Sequence, residues 1–191
     1  MKPIPALLLG FALLQPVVDL DLAVQQAVQA RRNPTLDRVM QAVSNLGHRD
    51  VLYGSLLALA VLDPIGPGTA RLAVAALIAT NLVAEGLKRV INRPRPNGER
   101  KRSDASFPSG HAASALSLAW ILTRRWRRLA VFWWALAVTV AWSRVYINRH
   151  YLSDVVAGAG IGLLCTWGVL RLQARMAARA AVRASRPAPP P

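Results

Sequence analysis

Three short clusters of ionisable and hydroxylic residues interrupt an otherwise apolar chain. Lys88 is followed by Arg95-Pro96, then comes Pro108-Ser109-Gly110-His111, and finally Ser143-Arg144 precedes His150 and Asp154. Lys88, Arg95 and Arg144 supply three fixed cations, two of them guanidinium forks that match phosphate oxygens bidentately. Ser109 and Gly110 stand where an apolar run begins. Free backbone N–H groups at a helix start bind anions, and glycine there lets a ligand come close to the backbone. His150 and Asp154 are four apart and share a face if a helix starts by Tyr151. An aspartate on one ring nitrogen would fix the tautomer and leave the other nitrogen as nucleophile or base. His111 offers a second imidazole, able to protonate a leaving oxygen. Cations, a helix N-terminus, a nucleophile and an acid together describe phosphoryl transfer, and no carboxylate cluster accompanies them to hold a metal.

The elements that must position these groups read as membrane helices. The chain has 191 residues, enough for one domain, and is 53% hydrophobic, yet its formal net charge is +15. Charge of that size on so apolar a chain must be segregated into loops and tails, as in a small polytopic membrane protein. Apolar runs separate the basic clusters, so no continuous basic face for nucleic acid is expected. Of 24 basic residues only Lys2, Lys88 and Lys101 are lysines.

The apolar runs are 4–18, 50–62, 69–91, 110–123, 129–143 and 152–170. They predict an all-α fold of about six transmembrane helices. The first run, behind Lys2, also has the look of a signal peptide but lacks a convincing small-residue cleavage site. Leu36, Val39, Met40, Val43 and Leu46 recur at helical spacing between polar residues, which predicts an interfacial helix across 19–46, broken near Asn33-Pro34. Gly158, Gly160 and Gly162 are expected to permit close helix packing in the last span. Trp133, Trp134 and Trp142 suggest an interfacial belt, and the lone Cys165 reads as packing. Residues 1–175 are taken as one membrane domain and 176–191 as a basic, Pro-rich, disordered tail. Arg124, Arg125, Arg127, Arg128 and the tail arginines favour the cytoplasm for the side bearing both termini. The three clusters then share the opposite side, the outer or periplasmic face of an inner membrane.

At full spacing, "KRVINRPRP", "PSGH" and "SRVYINRHYLSD" resemble the three-part signature KxxxxxxRP, PSGH, SRxxxxxHxxxD of the type-2 phosphatidic acid phosphatase superfamily, here spanning 88–154. The resemblance implies that His150 attacks phosphorus, that Asp154 orients it, and that His111 protonates the leaving group. It also implies that Lys88, Arg95, Ser109, Gly110 and Arg144 hold the phosphoryl oxygens, with neither metal nor cofactor. A membrane lipid would be the substrate and the bilayer the setting. Undecaprenyl diphosphate is the preferred expectation, with phosphatidylglycerophosphate or phosphatidic acid as alternatives. A lipid phosphotransferase is another alternative, as is a non-catalytic lipid-phosphate binder or carrier, though a binder needs the cations but not His150 and Asp154 together. The large, soluble vanadium haloperoxidases related to this superfamily do not fit the membrane spans.

Several charged residues fall outside the signature. His48 is read as an interfacial anchor. Glu85, one turn before Lys88, either orients that lysine or pairs with another helix. Arg93, Arg100, Lys101 and Arg102 either attract anionic head groups or are solvated loop.

Overall fold

The structure, a computed structural model, describes residues 5–62, 67–98 and 105–185. Among them are seven α-helices, one short 3-10 turn and no strand: α1 (Pro5–Gln29), α2 (Pro34–Leu46), α3 (Arg49–Leu62), α4 (Pro67–Ile91), α5 (Gly110–Arg125), the 3-10 turn (Arg127–Leu129), α6 (Ala130–Tyr146) and α7 (Leu152–Ala184). The fold is all-α, as expected. Each apolar run lies on its own helix, with α2 between the first two. Among the described residues three segments, Gly68–Ile91, Arg127–Tyr146 and Leu152–Ala184, are long and apolar enough by themselves to cross a membrane. At 14 and 16 residues, α3 and α5 fall short of the ~20 that usually span a bilayer. Arg100, Lys101, Arg102 and the "RPAPPP" end lie outside the described residues, and α7 stays helical past residue 175 to Ala184.

α5 is the axis of the fold. It packs against α4, α6 and α7, and its buried residues Ala112, Ala113, Ser114, Ala115, Leu116, Ser117, Ala119 and Ile121 occupy several faces. A helix covered on several sides need not present a lipid-facing stripe, which explains its short length and weak apolar asymmetry. Close approach to α7 depends on two glycines one turn apart. A Cβ at Gly158 would overlap the Ser109 carbonyl oxygen, and one at Gly162 would overlap that of Ala113. Gly160, the third glycine of the expected packing set, faces open space. Below these contacts Ser117 and Thr166 bond to each other at 2.7 Å, so neither hydroxyl enters the membrane interior unsatisfied. Outward-facing Leu82, Val131 and Leu164 are exposed, as befits surfaces turned toward lipid.

The sequence divides the first thirty residues into an apolar run and an interfacial stretch. The structure runs a single helix, α1, through both, with Pro16 inside it. The break falls where expected. Asn33 caps α2, its side-chain oxygen accepting from Leu36 N–H at 2.9 Å, and Pro34 occupies the first turn. Asp19 and Gln26 are exposed, but Asp21, Gln25 and Gln29 of the same stretch are bonded into the protein, which holds that half of α1 against the α6–α7 connection.

Candidate active site

The start of α5, the ends of α4 and α6, and the α6–α7 connection meet at one end of the bundle. There Lys88, Arg95, Gly110, His111, Arg144 and His150 line a single chamber of about 550 Å³. Lys88 comes from the last turn of α4, and its ammonium group pairs with Glu85 at 3.1 Å. That contact is the one expected of a carboxylate that orients Lys88. The same Nζ lies 3.8 Å from where a Gly110 Cβ would be, so the ammonium stands beside the N-terminus of α5. Arg95 Nη1 donates to the Arg149 carbonyl at 3.0 Å. Arg144 donates to Ser44 Oγ on α2, and its own carbonyl accepts the N–H groups of Arg149 and His150 at 3.0 and 3.1 Å. Those two bonds fold residues 145–150 back on themselves, with Asn148 at φ +60° in the left-handed region that asparagine tolerates.

Ser109 and Asp154 stand behind this lining, both fully buried. Ser109 Oγ caps α5 by accepting from Ala112 N–H at 3.4 Å, while its own N–H donates to the Asp154 carbonyl at 2.9 Å. His150 is 3% exposed, and its Nδ1 lies 2.7 Å from the backbone carbonyl of Ser106. An Nδ1–H donated to that carbonyl places the ring's lone pair on Nε2. The Asp154 carboxylate, expected to bond the ring directly, is 3.7 Å away, beyond hydrogen-bond length. It reaches the imidazole through an intermediary, because Asp154 Oδ2 accepts from Ser106 Oγ at 2.8 Å. Burial pushes the His150 pKa down to about 4. The Asp154 carboxylate offsets part of that shift, and the Arg144 and Arg95 cations add to it. The imidazole is therefore neutral at ordinary pH, with an electron pair to give.

A sequence profile described as the PAP2 superfamily matches residues 69–177, a range that holds Lys88, Arg95, Ser109, Gly110, His111, Arg144, His150 and Asp154. The chain belongs to the PAP2 superfamily. It is 28% identical over 165 residues to phosphatidylglycerophosphatase B of Bacillus subtilis, a match covering 75% of this chain and 78% of that one. A lipid A 4'-phosphatase of Porphyromonas gingivalis is 35% identical over 60 residues, 30% of this chain and only 25% of that enzyme's length. Among solved structures, Aquifex aeolicus LpxE superposes with a TM-score of 0.70 at 25% identity, over 78% of this chain and 94% of that one. A transmembrane PAP2-type phosphatidylglycerolphosphate phosphatase from Bacillus subtilis does so with 0.68 at 28% identity, over 89% and 95%.

The PAP2 signature does not name the residues that hold its site rigid in this chain. Arg93 is neither a solvated loop residue nor a head-group attractor. Its two guanidinium nitrogens bridge Asp154 at 2.7 Å and Asp21 of α1 at 2.8 Å, and its plane lies 4.1 Å from the Tyr151 ring centre. Burial works against the Arg93 cation, but the Asp21 and Asp154 carboxylates more than compensate, leaving its pKa above the usual arginine value. Asp21 Oδ1 also accepts the Ser153 N–H at 2.8 Å, at the start of α7. One and two turns further along α1, Gln25 donates to Asn148 at 3.1 Å and Gln29 to the Tyr146 carbonyl at 3.1 Å. α1 is thus a strut that pins the His150 loop. The only signal for it in the sequence is the four-residue spacing of Asp21, Gln25 and Gln29, which a solvated face shows equally well.

His48 is a second departure. It lines the chamber and meets His111 edge-on, with ring centres 6.3 Å apart, so it is more than an interfacial anchor.

Proposed function

We propose that this PAP2 protein is an integral membrane lipid phosphatase that hydrolyses a lipid phosphomonoester, phosphatidylglycerophosphate first. The observation that carries the reading is the convergence of His111, His150, Lys88, Arg95 and Arg144 on one chamber, with the His150 ring held through Nδ1. In the first step His150 Nε2 attacks phosphorus and the bond from phosphorus to the leaving alkoxide breaks. His111 gives that oxygen its proton. Lys88, Arg95, Arg144 and the backbone N–H groups that follow Ser109 carry the charge spread over the equatorial oxygens. In the second step water attacks the phosphohistidine, His111 takes its proton, and inorganic phosphate leaves with neutral His150 restored. Asp154 and Ser109 act from behind, by positioning.

The choice of lipid rests on the relative that matches most of both chains, which is named a phosphatidylglycerophosphatase. Lipid A is the second reading, supported by shorter matches to lipid A phosphatases. The relatives named above bear these two substrate names, and undecaprenyl diphosphate, preferred from the sequence, finds no support among them. The chamber and the arginines at 124, 125, 127 and 128 lie at opposite ends of α5 and the turn after it. By the positive-inside rule the chamber then faces outward from an inner membrane.

The test is phosphate release by purified protein in detergent with EDTA, using phosphatidylglycerophosphate, phosphatidic acid, lipid A and undecaprenyl diphosphate. Release from phosphatidylglycerophosphate by wild type and none by His150→Ala is expected. Release from another lipid alone would overturn the substrate, and release by His150→Ala would overturn the mechanism.

A further inference from the structure

The end of α5 away from the chamber carries a pocket that the reaction does not use. It has a volume of about 670 Å³ and opens where α5, the 3-10 turn and α6 meet, inside the size range of small-molecule sites. Trp120, Thr123, Arg124 and Arg127 recur in its wall at three- and four-residue intervals, and Trp134 of α6 joins them. Both arginines are exposed, and neither has a carboxylate partner among the described residues. Thr123 adds a second, independent feature. Its Oγ1 is buried without a hydrogen-bond partner among the described residues, whereas Thr139 and Thr166 each donate to a carbonyl one turn back at 2.8 Å. A buried hydroxyl in that state is costly unless an acceptor reaches it. Depth points the same way. From Gly110 to Arg124 is fourteen residues of helix, or about 21 Å at 1.5 Å per residue, against a hydrocarbon core of about 30 Å. With the chamber at one head-group plane, the two guanidinium groups stop inside the other, where a cation needs a counter-charge.

Two forked cations, a hydroxyl and two indole rings at the hydrocarbon edge are complementary to a phosphodiester that brings its own acyl chains. We infer that this pocket binds the head group of an anionic phospholipid from the leaflet opposite the chamber. That lipid is a bound ligand of the fold, distinct from the one hydrolysed. Its phosphate oxygens take the N–H groups of Arg124 and Arg127 and the Thr123 hydroxyl, and the Trp120 and Trp134 rings flank its glycerol. A zwitterionic lipid is disfavoured, because its ammonium group would face two guanidinium groups with no carboxylate to receive it. The inference needs the chain to lie in a membrane, and it holds whatever lipid the chamber hydrolyses.

Two measurements test it together. The first is thermal unfolding of purified protein in mild detergent, titrated with phosphatidylglycerol, phosphatidylcholine or inorganic phosphate. Phosphatidylglycerol at about a hundred times its Kd should raise the wild-type melting temperature by roughly 5–10 °C, and phosphatidylcholine far less. Arg127→Gln is the test variant, because Arg124 also borders a smaller pocket between α4, α5 and α7. It should raise the phosphatidylglycerol concentration needed by about tenfold or more, the scale of a lost charged hydrogen bond. Arg128→Gln, next in the chain, removes the same charge from a residue outside the pocket wall and should change that concentration by less than about twofold. The pairing also separates this pocket from the chamber, since an anionic lipid held only there would ignore Arg127→Gln. The second measurement is photolabelling with phosphatidylglycerol bearing a diazirine on its head group, expected to mark the segment 120–134. Equal weakening by both variants would reduce the effect to diffuse attraction and overturn the site. Equal stabilisation by phosphatidylcholine, or label confined to the chamber, would do the same. A response to inorganic phosphate that Arg127→Gln removes would replace the lipid with a free anion.

Discussion

Gly158→Ala tests whether packing between α5 and α7 sets the geometry of the site. The substitution adds one methyl group on α7 and touches no group that lines the chamber. That methyl would overlap the Ser109 carbonyl oxygen and lie 3.1 Å from its carbon and 3.2 Å from its nitrogen. All three atoms are backbone, so no side chain can swing aside. Restoring an ordinary carbon–oxygen contact of ~3.3–3.6 Å requires the start of α5 to move by about 1 Å. Ser109, Gly110 and His111 move with it, because they are the cap and first turn of that helix. Misplacement of reacting groups by about 1 Å can cost on the order of 10²-fold in rate, whereas overpacking costs only about 1–3 kcal/mol of stability. The variant should therefore remain folded in detergent, with a lowered melting temperature, and lose about 10²-fold in kcat/KM for lipid phosphate release. Gly160→Ala is the control, since nothing lies within 4 Å of its added methyl. Activity of Gly158→Ala within about twofold of wild type, or equal damage from Gly160→Ala, would refute the reasoning.

Two further outcomes follow from the buried charges. Arg93→Gln should destabilise the fold by about 3 kcal/mol, the scale for stranding buried carboxylates, since Asp21 and Asp154 are 2% and 0% exposed. Asp21→Asn should cost less in that background than in wild type, which a double-mutant cycle by denaturant unfolding would read; additive losses would dissolve the network. His150 carries a folded-state pKa of about 4 against an ordinary 6.5. It is a base held neutral, so its contribution to stability is complete above pH 6.5 and declines as pH falls toward 4. By linkage the wild type should lose about 3 kcal/mol more than His150→Gln over that window. Parallel pH–stability curves for the two proteins would show that the imidazole is not held neutral.

The sequence made Lys88, Arg95, Gly110, His111, Arg144 and His150 readable, because each cluster is local and each spacing is a helical or turn spacing. Lys88 is one turn beyond Glu85, Ser109 precedes the first turn of α5, and His150 precedes that of α7. The remaining contacts are non-local. Arg93 reaches Asp154 and Asp21 across 61 and 72 residues, and nothing in its own neighbourhood distinguishes it from the other loop arginines. Ser106 holds His150 through its backbone carbonyl, which any residue type would supply, and its hydroxyl reaches Asp154 across 48 residues. The contacts of α1 are not legible in sequence, because amides and a carboxylate at four-residue intervals look alike whether they face water or another helix. Of the three glycines read as packing sites, Gly158 and Gly162 differ from Gly160 only in phase, and a four-residue period would have separated them.

The linkage of Asp21 to Arg93 and Ser153 also fixes an order of completion. A chain is made from its N-terminus, so the Asp21 carboxylate reaches the membrane on α1 long before its partners exist. Arg93 arrives after α4, and Ser153, 132 residues beyond Asp21, arrives only with the start of α7. Until then the helices can insert and pair, but the loop carrying His150 has nothing to close upon. The first helix and the last therefore complete the site together, and a chain released before α7 is made would be a set of membrane helices without a reaction centre.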